Sequence, residues 1–338
     1  MSLIMVYTLE ASAVNVRLRY RLTKRATDDL KGFVEEEGEA MSNFSGCYTV
    51  MVTPFTDDGS KVDYPALRRC VDWQISNGVP GLVPLGSTGE FLSVSEEERR
   101  EIVKTVVEQS DGRAVILAGT ADEWTDKSVR YSQEAQELGA DGVMVIPPYY
   151  ASPTDDELVE HYRQISDAIS IPIMIYNNPN TANVDLSSEL LARLSELDHV
   201  DYVKESSGDV SRVREIKRLS EGRMTVFAGY HPFDSFLLGA EGYVSVCGNI
   251  VPKLSADLYN LTISESDISS GRELFHRLLP LLDAIAGDLY VSATKAAMEM
   301  VGMPVGPPRM PRCRVPEAHK MKIKEVLREL GVLVSELA

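Results

Sequence analysis

Short runs of apolar, often β-branched residues alternate with longer helical patterns through most of the chain. Most of these runs lack polar alternation, which is typical of strands buried on both faces because helices cover a parallel sheet. Repeated βα units of about 20–30 residues favour a closed (β/α)8 TIM barrel, an α/β fold, over an open doubly wound sheet. The eight strands are predicted at 48–53, 81–85, 114–118, 142–146, 173–176, 202–204, 225–228 and 243–247.

Signals for helix starts lie between the predicted strands. Ser95 with Glu98, and Thr154 with Glu157, each place an acid three residues after a hydroxyl, which is the capping-box pattern at the start of a helix. After the sixth predicted strand, one apolar stripe at helical spacing is suited to pack on the sheet. Its members are Val210, Val213, Ile216 and Leu219. The connections between strands are therefore predicted to be helices.

The two ends of the chain depart from this repeat. From about residue 267 only helical patterns remain, with the apolar stripe Leu274, Leu278, Leu281 and Ile285. Residues 1–43 carry a basic block followed by an acidic one, and an apolar run precedes both, which is the wrong order for a secretory signal. We therefore predict an N-terminal extension at 1–43 (a tag, an overlong start or a mobile arm), a catalytic barrel at 44–266 and a C-terminal helical domain at 267–338.

Charge and cysteine content exclude several classes of partner. With 51 acidic and 34 basic side chains the net charge is −17, so the surface repels phosphate backbones and we expect no nucleic-acid partner. The cysteines show no close spacing, which indicates a reducing, cytoplasmic setting with neither a disulfide framework nor a metal site. Cys247 is interpreted as an apolar filler of the last strand. No apolar run approaches the roughly 20 residues of a membrane helix.

In a barrel of this kind the active site lies at the carboxyl ends of the strands, so the loop after the second predicted strand is of interest. This loop reads Gly86-Ser87-Thr88-Gly89-Glu90. Its glycines allow close backbone approach, and its hydroxyl and amide groups could hold a carboxylate or a phosphate. A tight turn without a ligand explains the same residues, so both interpretations stay open here.

Phenols follow two further strands. Tyr149 and Tyr150 come after the fourth predicted strand, behind two prolines, and Tyr176 ends the fifth. A phenol at the barrel mouth can transfer a proton, whereas aromatic pairs more often serve packing. Packing for the tyrosine pair, and a structural hydrogen bond for Tyr176, are therefore the alternatives.

Lys204 ends the sixth predicted strand and is the most informative residue of the sequence. Burial inside a barrel lowers the pKa of a lysine from about 10.4, which makes its amine a nucleophile able to form a Schiff base with a carbonyl compound. An ion pair with Glu205 is the structural alternative, but consecutive residues of a strand face opposite sides of the sheet. We therefore predict that Lys204 is a nucleophile.

Several of these strand ends form recognisable motifs. The motifs are Gly86-Ser87-Thr88-Gly89-Glu90, Pro148-Tyr149-Tyr150, Tyr176-Asn177 with Pro179, Val203-Lys204-Glu205 and Gly242-Tyr243-Val244-Ser245. Over about residues 44–338 the chain resembles the dihydrodipicolinate synthase and N-acetylneuraminate lyase family of class I, pyruvate-dependent aldolases. The resemblance implies a barrel with a C-terminal helical domain, a Schiff-base-forming lyase without metal or organic cofactor, and a homotetramer built as a dimer of dimers. Its substrates would be pyruvate and a small aldehyde, or the 2-keto acid that the two form.

The resemblance also implies roles for individual residues. Lys204 would attack the keto carbon of pyruvate, and Tyr176 would move protons at the imine and at the new hydroxyl. Ser87 or Thr88 would pass the proton onward, with the loop gripping the substrate carboxylate. Tyr150 would complete the relay in a neighbouring subunit. The residues implied to border the lysine through their backbone are Gly229 and Val244.

The expected aldehyde depends on two departures from family patterns. Dihydrodipicolinate synthases carry an arginine where this chain has Thr181, and sialic acid lyases carry an acidic pair where it has His231-Pro232. A bidentate contact with a second carboxylate is therefore missing at Thr181. We accordingly predict a 2-keto-3-deoxy sugar acid as the substrate. The side chains expected to bind its polyol tail are Asn178, Asn180, Thr181, Asn183 and His231.

Alternatives to this substrate remain open. The chain could be a true 4-hydroxy-tetrahydrodipicolinate synthase, which condenses pyruvate with aspartate semialdehyde, or a dehydratase of 2-keto-3-deoxy sugar acids. A phosphate-binding barrel enzyme, or a barrel that only binds a metabolite, is the alternative from another functional class. The joint presence of Lys204, Tyr176 and the hydroxyl loop argues against a barrel that has lost catalysis.

Overall fold

The computed structural model describes residues 44–334, so the predicted N-terminal extension at 1–43 lies outside the described residues. Eight parallel strands pair in chain order, and the last pairs with the first. This closed barrel confirms the predicted (β/α)8 fold. The strands are β1 Gly46–Val50, β2 Gly81–Val83, β3 Val115–Gly119, β4 Gly142–Val145, β5 Ile173–Asn177, β6 Tyr202–Glu205, β7 Thr225–Ala228 and β8 Gly242–Ser245.

Each strand is followed by one α-helix before the next strand begins. In chain order these helices are α1 Tyr64–Ser76, α2 Glu96–Ser110, α3 Thr125–Glu137, α4 Asp155–Ser166, α5 Ser188–Leu194, α6 Ser211–Leu219, α7 Pro232–Leu237 and α8 Pro252–Tyr259. Both predicted capping boxes are present, Ser95 with Glu98 at α2 and Thr154 with Glu157 at α4. The strands are buried along almost their whole length because the helices cover the sheet.

Four strands, β1, β2, β4 and β8, end earlier than predicted, and side-chain hydrogen bonds explain the early ends of β1 and β8. After β1 the amide of Val52 donates to Oδ1 of Asn249 at 3.1 Å rather than to a neighbouring strand. The hydroxyl of Ser245 accepts the amide of Gly248 at 3.1 Å, which starts a 3-10 turn after β8. Cys247 therefore lies in this turn and not in the strand. It is buried, and burial raises the pKa of its thiol to about 12, in keeping with an apolar filler.

Three further helices follow α8, namely α9 Ile268–Ala284, α10 Tyr290–Met300 and α11 Glu317–Glu329. The predicted boundary between 266 and 267 falls between a π-helical turn at Asn260–Ser264 and α9. The predicted apolar stripe of α9 is buried. α10 is buried along most of its length and contacts the turn after β2, which places it at the carboxyl ends of the strands.

None of the helices described for residues 44–334 has both the length and the apolar character needed to cross a bilayer. The same residues contain no group of three or more histidine, cysteine, aspartate or glutamate side chains arranged to hold a metal ion.

Candidate active site

The loop after β2 forms a strained, largely buried turn at the barrel mouth. Ser87–Gly89 form a 3-10 turn between Leu85 and Glu90, whose φ angles of 60° and 54° are left-handed. Such angles are unfavourable in residues other than glycine, so the surrounding structure has to hold them. The hydroxyl of Thr53 donates to the carbonyl of Gly89 at 2.6 Å and so ties the turn to the segment that follows β1.

The C-terminal segment fixes this turn from the other side. Lys295 of α10 forms an ion pair with Glu90 at 2.7 Å, and the two side chains are 2% and 0% exposed. Nζ of Lys295 also donates to the carbonyls of Thr53 and Pro307, at 2.8 and 3.1 Å. The other carboxylate oxygen of Glu90 accepts the amide of Arg309 at 2.9 Å. Glu90 is thereby held in its left-handed conformation by contacts with two parts of the C-terminal segment, Lys295 and Arg309.

Lys204 lies near the carboxyl end of β6, inside the barrel. Its register partner on β5 is Tyr176, and Nζ lies 3.9 Å from the centre of the Tyr176 ring. Among the residues that the structure describes, no carboxylate forms an ion pair with this amine, and desolvation by burial lowers its pKa from 10.5 to about 7. A large share of such an amine is unprotonated at neutral pH and able to attack a carbonyl carbon.

The carboxylate of Glu205 is engaged elsewhere, which removes the structural alternative for Lys204. Oε2 of Glu205 accepts from Nδ2 of Asn177 at 3.0 Å, and Oε1 accepts the backbone amide of Ser207 at 2.6 Å. Nδ2 of Asn177 also donates to Asp185 at 3.1 Å. Consecutive strand residues point to opposite faces, so this polar group lies on the other side of the sheet from Lys204.

The phenol of Tyr176 lies in a cluster of polar side chains. Nδ2 of Asn178 donates to Oη of Tyr176 at 2.7 Å. The side chains of Ser206 and Ser87 also lie beside this phenol. Burial raises the pKa of Tyr176, and these three polar neighbours lower it by less. A neutral phenol with hydroxyl neighbours can give and take back a proton next to the amine of Lys204.

A glycine at 229 gives Ser206 its place beside the phenol. The amide of Gly229 donates to the carbonyl of Glu205 at 2.7 Å, and a Cβ at this position would overlap Oγ of Ser206. Any side chain at 229 would therefore displace the serine. Val244 of β8 is buried in the core. That the backbone of these residues borders Lys204 stays a prediction.

The C-terminal segment adds a phenol and a cation to the barrel mouth. Tyr290, the first residue of α10, interacts with the hydroxyl of Thr88 and lies near Tyr176 and Tyr230. Burial raises the pKa of Tyr290 above its ordinary value. Cζ of Arg312 lies 5.4 Å from the centre of the Tyr290 ring. Thr88 is therefore linked through one aromatic ring to a guanidinium group.

The tyrosine pair after β4 divides into one packing and one exposed residue. Tyr149 packs edge-on against Phe91, with the ring centres 6.0 Å apart, so the packing alternative applies to it. The side chain of Tyr150 is 84% exposed. The amides of both tyrosines donate to Oε2 of Glu123, at 2.8 and 3.0 Å. The loop is thus anchored while the Tyr150 phenol is exposed, and its action in a neighbouring subunit stays a prediction.

Most side chains predicted to bind a polyol are exposed or already engaged. Thr181 is exposed, and its hydroxyl donates to the carbonyl of Asn178 at 3.4 Å. His231 is exposed at the start of α7. Nδ2 of Asn183 donates to the carbonyl of Tyr150 at 3.0 Å. Of the side chains predicted to bind the polyol, that of Asn178 contacts the phenol of Tyr176.

A family model described as the dihydrodipicolinate synthetase family matches residues 43–330. The chain belongs to this family. As a member it is a lyase of the class I aldolase type, which confirms the resemblance inferred from the strand-end motifs.

Relatives of this dihydrodipicolinate synthetase family member align over nearly their full length. The 4-hydroxy-tetrahydrodipicolinate synthase of Methanocaldococcus jannaschii is 33% identical over 293 residues, which cover 86% of this chain and 100% of the relative. The enzyme of the same name from Geobacter metallireducens is 35% identical over 292 residues, with 86% and 100% covered. The crystal structure of the chloride-inhibited dihydrodipicolinate synthase from Acinetobacter baumannii, complexed with pyruvate, superimposes with a TM-score of 0.83 at 30% identity, covering 86% of this chain and 99% of that one.

The sequence of this family member did not indicate that Tyr290 and Arg312 reach the barrel mouth. Both lie in the part interpreted as a helical appendage, and their approach depends on how α10 packs against the turn after β2. The available signal was weak: an aromatic residue at a helix start, and an arginine next to the proline-rich stretch 304–311.

Proposed function

We propose that this family member forms an imine between Lys204 and pyruvate and adds the derived enamine to a small aldehyde. The observation that carries the proposal is the setting of one amine. Nζ of Lys204 is buried, has no ion-pair partner among residues 44–334 and lies 3.9 Å from the centre of the Tyr176 ring. Its pKa of about 7 leaves much of it unprotonated at neutral pH, as a nucleophile requires.

The proposed steps balance without an oxidant or reductant. The amine attacks C2 of pyruvate, and loss of water gives the imine, which acts as the electron sink. Loss of a proton from the adjacent methyl group gives an enamine, whose carbon attacks the aldehyde carbon and forms the new C–C bond. The former aldehyde oxygen takes up a proton, and water then releases the open-chain 4-hydroxy-2-keto acid and regenerates the amine of Lys204. Where the aldehyde carries an amino group, as aspartate semialdehyde does, this amine closes onto the keto carbon with loss of one water and gives the cyclic product. The reverse sequence cleaves a longer 2-keto acid.

The neighbouring groups have proposed roles in moving these protons. Tyr176 exchanges protons with the imine and with the new hydroxyl, and the hydrogen bond of 2.7 Å from Asn178 orients its phenol. Ser87, beside the phenol, passes the proton onward. The hydroxyl of Thr88 and the successive amides of Ser87 and Thr88 hold the carboxylate of pyruvate, because successive backbone N–H groups in a turn form an anion-binding concavity. The next two amides, of Gly89 and Glu90, already donate to carbonyls within the turn. The residues proposed to border Lys204 through their backbone are Gly229 and Val244.

Tyr150 has a proposed role across a subunit contact. Its phenol is 84% exposed on a loop that Glu123 anchors, so it is available to a second copy of the chain. We propose that it completes the proton relay of that copy in a homotetramer, a dimer of dimers. Tyr150→Phe is expected to lower turnover by about 100-fold, the lower range of general acid–base effects, while leaving imine formation possible.

Trapping of the imine tests the proposed chemistry. The protein is incubated with pyruvate, reduced with borohydride and digested, and the peptides are mapped by mass spectrometry. A stable adduct on the peptide that contains Lys204 is expected, and none in a Lys204→Met variant. An adduct elsewhere, or no adduct, would favour the phosphate-binding or metabolite-binding barrel instead.

We propose aspartate semialdehyde as the aldehyde, which makes the activity that of a 4-hydroxy-tetrahydrodipicolinate synthase. Relatives 33% and 35% identical carry this name. In addition, the hydroxyl of Thr181 already donates to the carbonyl of Asn178, and Nδ2 of Asn183 to the carbonyl of Tyr150, so these two side chains offer a polyol little. A 2-keto-3-deoxy sugar acid, cleaved or dehydrated, is the second candidate, and the observation in its favour is the absence of a guanidinium at Thr181.

Steady-state kinetics separate the two candidates. Condensation of pyruvate with aspartate semialdehyde and release of pyruvate from 2-keto-3-deoxygluconate are measured with the same preparation. We expect kcat/KM for the condensation to exceed that for the cleavage by about 100-fold or more, since specificity is a ratio of these constants. The opposite ratio would establish the sugar acid, and loss of water from it without pyruvate release would identify a dehydratase.

A further inference from the structure

Two arginines of the segment between α10 and α11 lie in contrasting settings. The guanidinium of Arg309 makes two hydrogen bonds of 2.6 Å to the carboxylate of Glu98 and lies 4.3 Å from the ring centre of Phe55. Arg312 is half-buried, and no carboxylate of residues 44–334 forms an ion pair with it. Its described neighbour is the ring of Tyr290, 5.4 Å from Cζ. One arginine is therefore neutralised, and the other keeps its charge available.

The ring of Tyr290 lies next to this charge and is itself a neighbour of the predicted reacting groups. Tyr290 interacts with the hydroxyl of Thr88 and lies near Tyr176. A guanidinium stacked on an aromatic face keeps its N–H edge free for a carboxylate. Two parallel hydrogen bonds from this edge to one carboxylate are the usual arrangement.

The backbone of Arg312 is anchored without any ligand. Its amide donates to the carbonyl of Arg309 at 3.0 Å, and Arg309 is tied to Glu98 through its side chain and to Glu90 through its amide. A side chain on an anchored backbone loses less conformational entropy on binding than one on a flexible segment. The charge also matters, because the chain carries a net charge of −17 and its surface repels anions.

We propose that Arg312, seated on the ring of Tyr290, binds a carboxylate of the aldehyde substrate and selects acidic over neutral acceptors. This inference rests on the proposed function, because it needs a second substrate to meet the pyruvate enamine on Lys204. It names the substrate class of the site, an aldehyde with a carboxylate remote from its reacting carbon. Arg312 is a binding residue in this proposal and takes no part in imine formation.

Kinetics with one acidic and one neutral acceptor test the inference. The variants are Arg312→Gln, Arg312→Lys and, as the matched control, Arg314→Gln, which removes a charge from an exposed arginine two residues along. Each is assayed with pyruvate and either aspartate semialdehyde or glyceraldehyde. In Arg312→Gln we expect kcat/KM for aspartate semialdehyde to fall about 10- to 100-fold, the range for a charged hydrogen-bonded contact, with glyceraldehyde changed by about twofold or less. Arg312→Lys should recover part of the loss, and Arg314→Gln should match the unaltered chain.

Imine trapping separates failure of this inference from failure of the proposed function. Arg312→Gln is expected to form the borohydride-stable pyruvate adduct at the same pyruvate concentrations as the unaltered chain. The role of Arg312 would be overturned if Arg312→Gln lowered kcat/KM equally for both acceptors, or for neither. It would also be overturned if the variant needed a higher pyruvate concentration to form the adduct. Each of these results would leave the imine chemistry in place. The same holds if the unaltered chain uses glyceraldehyde but no carboxylate-bearing aldehyde. Absence of the adduct in the unaltered chain would instead refute the proposed function.

Discussion

Two lysines, Lys204 and Lys295, are buried in this molecule and have opposite surroundings. Lys295 is 3% exposed and Lys204 is 5% exposed. The first meets a carboxylate, Glu90, at 2.7 Å, whereas the second faces the ring of Tyr176 at 3.9 Å with no ion-pair partner among the described residues. Burial lowers the pKa of both, and the charge of Glu90 limits the decrease, so that Lys295 has a pKa of about 8 and Lys204 about 7.

The comparison shows how lysine, the same residue type, can stabilise the fold at one position and provide a reactive amine at another. Glu90 stabilises the charged form of Lys295, and the pair holds the turn after β2 in its left-handed conformation. Lys204 lacks a carboxylate, so burial disfavours its charged form and the amine becomes reactive. The reactive lysine is therefore the destabilising one. Four predictions test this contrast, from the largest expected effect to the smallest.

Removal of the nucleophile should give the largest effect. Lys204→Met is expected to lower turnover by about 10,000-fold or more while the barrel stays folded, because the other buried lysine of residues 44–334, Lys295, is paired with Glu90. Turnover is measured in the assay with pyruvate and aspartate semialdehyde, and folding by circular dichroism. Lys253→Met is the control, because Lys253 pairs with Asp257 at 2.8 Å on the surface and should not affect turnover. Substantial activity in Lys204→Met would contradict the assignment of the nucleophile.

Removal of the paired lysine should give the largest loss of stability. Lys295→Met leaves the carboxylate of Glu90 buried without its cation, and such a change destabilises by about 3–5 kcal/mol. The free energy of unfolding is measured by urea denaturation. In the double variant Lys295→Met with Glu90→Gln the buried charge is gone, so we expect a smaller loss than in Lys295→Met alone. The ion-pair account would be contradicted if the double variant lost more free energy of unfolding than the two single variants lose together.

The sequence predicts one of these two lysines and not the other, for a physical reason. Lys204 follows a run of apolar residues that reads as a strand, and strand ends in a barrel converge on one site. The same grounds place Tyr176 and the Ser87-Thr88 loop at this site. Lys295 sits in a helix, where a lysine is ordinarily on the surface. Its burial follows from contacts with Glu90, which is remote in sequence, and no local pattern encodes them.

Contacts between residues remote in sequence also decide where strands end and which side chains reach the substrate site, and local sequence patterns do not predict them. The order and closure of the eight strands follow from the repeat, but β1 and β8 end early because Asn249 and Ser245 accept backbone amides. Tyr290 and Arg312 reach the site through packing of a helix that the sequence places outside the barrel. Side chains predicted from their neighbourhood to Tyr176, such as Thr181, prove exposed. A position close to Tyr176 in sequence therefore does not predict where a side chain lies once the chain has left the strand.

Lys204→Met should also raise stability, in contrast to Lys295→Met. The folded pKa of Lys204 is lowered from 10.5 to about 7, so between these values the unfolded chain binds more protons than the folded one and stability rises with pH. Below about pH 7 the free-energy cost of burying the charged amine of Lys204 is fully present. This cost is lost as the pH rises toward the pKa of the unfolded chain. The variant is therefore expected to be more stable by roughly 2–4 kcal/mol at pH 6, with the difference shrinking toward pH 10.5. Urea denaturation across this range measures it, and a difference that grows with pH would contradict the depressed pKa.

The pH dependence of imine formation should give the smallest effect and locate the titration directly. Only the unprotonated amine attacks pyruvate, so with a pKa of about 7 the rate should fall about fivefold between pH 7 and pH 6 and level off above pH 8. Single-turnover trapping with borohydride at a fixed pyruvate concentration measures this rate. Tyr176→Phe keeps the aromatic ring beside Nζ and removes the phenol oxygen. Its rate should be lower at every pH while the midpoint stays near 7, because desolvation and not the hydroxyl sets the pKa of the amine. A midpoint near 10 in the unaltered chain would mean that Lys204 is as well solvated, or as well paired, as an ordinary surface lysine, and the contrast with Lys295 would then be lost.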